Sequence, residues 1–197
     1  ASKAIHSHIY MTATPPRQLI KQMSSHKVIK LPARFHRQPL PVPHFKHFKL
    51  NTSRVQSQLI HLFQAQIKQQ RYTLVFFNHI ETMKDAYHKY RAHIPNLICV
   101  YSEDVYRFDK VEALRRGEHS IVFTTTILER GFTMARLDVI VINAETFSKA
   151  ALIQIAGRVG RKMEEPKGLV LFLHELSVEL PTLLMGKLGI ALYHRLC

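Results

Sequence analysis

From residue 71 onward the chain alternates short, unbroken apolar runs with stretches in which apolar side chains recur every three or four positions. The runs are Leu74–Phe77, Leu97–Val100, Ile121–Phe123, Val139–Ile142 and Leu169–Phe172. A strand with one wet face alternates apolar and polar residues, whereas an unbroken run marks a strand buried on both faces. Helical spacing fills the gaps, over about 79–92, 107–117, 126–130 and 147–161. Strands joined through helices require right-handed crossovers, so the pattern predicts an α/β fold, a parallel sheet sandwiched by helices. A further helix, Ser53 to Gln70, leads into the first strand, with Asn51, Thr52 or Ser53 as its cap. Leu180 to Leu196 suits a terminal helix broken or kinked by Gly186 and Gly189.

The first fifty residues follow another pattern. Ile9-Tyr10-Met11 reads as a short apolar strand that ends in Thr12-Ala13-Thr14-Pro15-Pro16, where proline forbids a continuing helix. Residues 31–43 hold four prolines and are expected to be extended. At 197 residues the chain can bury one good core, and no apolar run approaches a membrane span. Of its two cysteines, Cys99 lies inside an apolar run and is expected to be a buried structural thiol.

Charge changes the picture. The formal net charge is +14, and its placement is lopsided. Residues 1–80 hold 12 Lys and Arg and no acid, Glu81 being the first, while residues 81–197 hold 16 bases against 14 acids. Such a region suits a polyanion, and nucleic acid is the expected one.

Open parallel sheets gather ligands at the carboxyl ends of their strands, where three polar segments are expected to emerge. In the helix predicted over 147–161, Leu152, Ile155, Ala156 and Val159 form an apolar stripe, and Gln154, Arg158 and Arg161 line up roughly opposite it. Two guanidinium groups and a carboxamide suit a triphosphate, because arginine offers planar, bidentate donors to phosphate oxygens. On spacing alone an ordinary solvated helix face fits equally well. Gly157 and Gly160, each costing about 1 kcal/mol in a helix interior, point to close backbone approach. In the second segment, the strand Ile121–Phe123 opens into Thr124, Thr125 and Thr126, hydroxyl groups suited either to phosphate oxygens or to a cap and turn. The third is Leu74–Phe77 leading into Asn78 and His79.

These segments resemble the motifs of superfamily 2 helicases. Gln154-x-x-Gly157-Arg158-x-Gly160-Arg161 is similar to motif VI, Thr124 to Gly131 to motif V, and the strand ending in Asn78-His79 to motif IV. Val100-Tyr101-Ser102-Glu103-Asp104 with Arg107 is similar to the stretch between motifs IV and V, and Thr12-Ala13-Thr14 to motif III. The resemblance implies a RecA-like fold of the P-loop NTPase type. It also implies a catalytic set, with Arg161 as arginine finger, Arg158 as phosphate partner and Gln154 as a γ-phosphate or water contact. Such a finger is worth on the order of 10³–10⁵ in rate. By the same resemblance Thr12, Thr14, Glu129, Arg130 and Gly131 couple nucleotide state, and Asn78, His79, Ser102, Thr124, Thr125 and Thr126 meet DNA. Many relatives carry Asp where this chain has Thr126.

No GxxxxGK[ST] is present: Gly186-Lys187 is preceded by Pro181 where the first glycine belongs and followed by Leu188 in place of the hydroxyl. No DEAD-like acidic motif occurs either. ATP and Mg²⁺ are therefore expected to be held mainly by a first motor domain preceding Ala1, with residues 1–20 as its close or linker and 21–197 as the second RecA-like domain. This chain alone is expected to be inactive.

Thr125–Gly131, Ala151–Arg161, Leu31–His36 and Pro39–Pro43 resemble the ComFA family of competence ATPases. That implies a cytoplasmic, DNA-dependent translocase at the inner face of the membrane. It would drive single-stranded DNA through an uptake channel with other competence proteins, and an oligomer is possible. Zinc is expected only in a four-cysteine module that this sequence lacks. Primosomal-type helicases are similar too, and a non-motor docking module is the alternative from another class. Arg34, His36 and Arg37, on the proline-stiffened segment, either track a DNA backbone or belong to a surface strap packed through Phe35 and Leu40. The histidines at 6, 8, 36, 44 and 47 lack supporting Cys or carboxylate spacing, so no metal site is expected.

Overall fold

The computed structural model describes residues 10, 15, 17–29, 41–125 and 134–175, and the chain divides into two compact units, 1–32 and 33–197. In the first unit α1 (Arg17–Gln22) is a six-residue helix with no buried side chain. The second unit is the α/β body. Its elements run β1 (His44–His47), α2 (Ser57–Lys68), β2 (Tyr72–Phe76), α3 (Ile80–Tyr90), β3 (Ile98–Val100), α4 (Arg107–Arg115), β4 (Ile121–Thr124), β5 (Leu137–Val141), α5 (Lys149–Ala156) and β6 (Val170–His174). A short 3₁₀ turn, Ala144–Thr146, separates β5 from α5.

All six strands pair in parallel, in the order β1-β6-β5-β2-β4-β3. The five apolar runs are five of these strands, buried for the reason their composition gives. Successive side chains of a strand face opposite sides, and each side has its own core. Leu74, Phe76, Val122, Val139, Val141 and Phe172 pack with Leu114 of α4 and with Leu152 and Ile155 of α5. Val75, Phe77, Phe123, Ile140 and Leu171 pack with Phe63 of α2 and with Met83 and Tyr90 of α3. Two helices thus pack on each face of the sheet, α4 and α5 on one and α2 and α3 on the other.

One strand is unforeseen in the sequence and two expectations need correction. Composition gives no sign of β1, because His44-Phe45-Lys46-His47 is an exposed edge strand held by its pairing with β6. The helix predicted from Ser53 starts at Ser57, since Asn51 Oδ1 accepts from the amides of Ser53 (2.8 Å) and Arg54 (3.1 Å) and closes a turn there first. The helix predicted over 147–161 covers only 149–156. The amide of Gly157 closes the last α-helical bond on Ile153 O, those of Arg158 and Val159 then reach only three residues back, to Ile155 O and Ala156 O, and Gly160 follows at φ +65°. A tightened last turn and a left-handed glycine end a helix, so Gly160 serves termination, whereas Gly157 is the C-cap with an ordinary right-handed φ of −63°. The predicted helices at 126–130 and 180–196, and the strand at 9–11 apart from Tyr10, lie outside the described residues.

Candidate functional site

Ser148 caps α5, its Oγ accepting from the Ala151 amide at 3.2 Å. The helix then runs back along the sheet, away from the carboxyl ends of the strands. Val159 packs where β5 begins: a Cβ built on Gly168 would lie 2.5 Å from Val159 Cγ1 and 2.7 Å from Leu137 O. The segment 158–161 therefore lies at the amino ends of the strands, which corrects the expectation that it leaves their carboxyl ends. Gln154, Arg158 and Arg161 do not share a helix face either, because the helix stops before Arg158.

The early stop gives the two arginines different environments. Arg161 is exposed, as is Gln154. Arg158 is 7% exposed, and its Nε is buried with no hydrogen-bond partner among the described residues. Burial, and then the like charge of Arg161, pull the Arg158 guanidinium down to about 10. It still carries its charge at neutral pH. Among the described residues no carboxylate pairs with it, and a buried guanidinium without one costs the folded state, a cost that an incoming anion would relieve.

One guanidinium braces this end of the sheet. Arg71, just before β2, donates to Asp138 from Nε (3.1 Å) and Nη2 (2.5 Å), to Glu165 Oε1 from Nη1 (3.1 Å) and to Lys167 O from Nη2 (3.3 Å). Asp138 Oδ1 also accepts from the Leu169 amide at 2.7 Å. This cluster was not among the residues expected from sequence. Its one signal is an aspartate set directly before the apolar run Val139–Ile142, since a carboxylate in a doubly buried strand needs a buried partner.

The other predicted contacts sit at the opposite end of the sheet. Asn78 and His79, after β2, and Ser102, after β3, are exposed. Thr124 is fully buried at the end of β4, its carbonyl accepting from the Phe77 amide at 2.8 Å, and Thr125 Oγ1 is buried without a partner among the described residues. The structure thus gathers Asn78, His79, Ser102, Thr124 and Thr125 along one edge and sets Arg158 and Arg161 at the other. Thr12, Thr14, Arg34, His36, Arg37, Thr126, Glu129, Arg130 and Gly131 lie outside the described residues. Cys99 is buried, and desolvation pushes its thiol up, as a structural thiol requires. Among the described residues no group of three or more His, Cys, Asp or Glu could hold a metal ion, and no helix is long and apolar enough to cross a membrane.

A six-stranded parallel sheet with two helices on each face is a RecA-like fold of the helicase C-terminal class. The chain belongs to the helicase conserved C-terminal domain family, whose model matches residues 54–163. It is 33% identical over 175 residues to competence protein ComFA of Bacillus subtilis, and 35% identical over 181 residues to that of Streptococcus pneumoniae. These alignments cover 84% and 85% of the chain but span only 38% and 41% of the relatives' lengths. Among solved structures, Mycobacterium smegmatis helicase Lhr bound to ssDNA and AMP-PNP matches with a TM-score of 0.58 at 17% identity, over 78% of this chain and 22% of that one. The C-terminal domain of Saccharomyces cerevisiae Dbp5 bound to Gle1 matches with a TM-score of 0.52 at 15% identity, over 77% and 85%. Both likenesses concern the fold.

Proposed function

We propose that this chain is the second motor domain of an ATP-dependent single-stranded DNA translocase that drives DNA uptake in natural transformation. The observation that carries the nucleotide role is Arg158, buried, charged and with its Nε unpartnered among the described residues, three residues before the exposed Arg161. That pair suits phosphate oxygens. In this reading Arg158 holds the phosphates of an ATP bound by a preceding motor domain. Arg161 neutralises the charge that builds up as the γ-phosphoryl group leaves, and Gln154 contacts that group or the attacking water. Thr12, Thr14, Glu129, Arg130 and Gly131 couple the two domains.

DNA passes the opposite edge, at Asn78, His79, Ser102, Thr124, Thr125 and Thr126, with Arg34, His36 and Arg37 along the basic opening region. The charge of +14 supports a polyanion there, and similarity to ComFA supports the uptake role. Work at the inner face of the membrane with channel and competence partners follows from the same similarity. Mg²⁺ belongs to the preceding domain in this reading, and zinc to a separate module. Reconstitution tests the division of labour: DNA-stimulated ATP turnover is expected only when the preceding motor domain is supplied, and turnover by this chain alone overturns it.

A further inference from the structure

We propose that Arg71 and Glu165 are positioning residues that fix the backbone from which Arg161 reaches the nucleotide. The inference rests on the proposed role of Arg161. A long arginine side chain delivers its charge accurately only if its own backbone is held, and Arg161 is exposed on a non-helical segment. That segment is fixed on both sides. On the amino side Val159 is fully buried, with Gly168 packed so closely against it that no Cβ would fit.

On the carboxyl side Lys162 and Glu165 pair across a tight turn, the Glu165 amide donating to Lys162 O at 3.2 Å. Arg71 ties this turn to the sheet by holding Glu165 Oε1 and Lys167 O with the same guanidinium that grips Asp138. A planar five-donor fork can hold all three acceptors at once, which an ammonium cannot. The two halves of the clamp are unequally buried. The Asp138 side chain is 4% exposed and the Glu165 side chain 39%. The Asp138 half therefore belongs to the foundation of β5, whereas the Glu165 half can be removed at small cost in stability, because solvent screens a partly exposed ion pair. What Glu165 adds is the placement of the residues next to Arg161.

The test uses the full-length protein with both motor domains. In Glu165→Ala, kcat for DNA-stimulated ATP hydrolysis is expected to fall about tenfold while KM for ATP changes less than about twofold, since misplacing a group used in the transition state costs rate. DNA affinity and Tm stay near wild type. Glu165→Gln, which keeps an acceptor for Arg71 Nη1, should recover most of the rate. If Glu165→Ala keeps its kcat while Arg161→Ala is inactive, the clamp is wrong and the Arg161 role stands. If both variants keep their kcat, the Arg161 role itself has failed and the clamp with it. Equal losses of Tm and kcat in the Ala and Gln variants would mark Glu165 as merely structural and overturn the proposal.

Discussion

Arg158 and Arg161 lie three residues apart, one buried and one exposed, and the charge of Arg161 adds to burial in lowering the Arg158 guanidinium to about 10. The folded value lies below the ordinary one. The unfolded chain therefore binds more protons between the two, and stability rises as pH climbs through that window. At neutral pH the cost of the buried charge is present in full. Arg158→Met removes the charge and keeps an unbranched side chain in its place. The variant domain is expected to melt several degrees higher than wild type at pH 7, a gain of up to about 3 kcal/mol, with the difference narrowing above pH 10. In the full-length protein the same change should lower ATP turnover by roughly a hundredfold. Thermal melts at both pH values check the first part, and a lower Tm at pH 7 would contradict it.

Gly168 is expected to tolerate no side chain. An added Cβ meets Val159 Cγ1, the Leu137 carbonyl and Arg71 Nη2 within 2.8 Å, and two of these neighbours are held by the core and the backbone. Gly168→Ala should cost about 1–3 kcal/mol and lower Tm by several degrees. An unchanged melt would show that the amino end of the sheet yields more easily than its packing suggests.

The sheet is legible in the sequence because burial on both faces leaves its mark in composition: Leu74–Phe77 and Val139–Ile142 have no polar side to show. The edge strand His44–His47 leaves no such mark, since its place is set by pairing with β6 (residues distant in sequence) and its side chains are mostly exposed. Around α5 the apolar stripe holds, and Leu152, Ile155, Ala156 and Val159 are all buried. The polar face does not, because extending helical geometry past Gly157 puts Arg158 among exposed residues. Gly157 and Gly160 are plain in the sequence, and so is their cost in a helix, yet the chain resolves that cost by ending the helix. The brace of Arg71, Asp138 and Glu165 joins three segments far apart in the chain, and only Asp138, an acid directly before an apolar run, hints at it.

If the basic opening region tracks a DNA backbone, its cations release counterions on binding. Replacing Arg34, Arg37 and Lys46 together by Ala should weaken single-stranded DNA binding and reduce the dependence of log K on log salt by up to about 2, near 0.7 for each phosphate no longer neutralised. A salt titration of affinity measures both. Unchanged affinity and slope would assign the region to a protein partner or to solubility.

In the proposed motor, Arg161 completes an active site whose nucleotide is held by another domain. Single-turnover and steady-state ATP hydrolysis by the full-length protein, wild type against Arg161→Ala, at saturating DNA, tests it most directly. A loss on the order of 10³ or more in kcat is expected, with DNA affinity nearly unchanged. Turnover within about tenfold of wild type would contradict it.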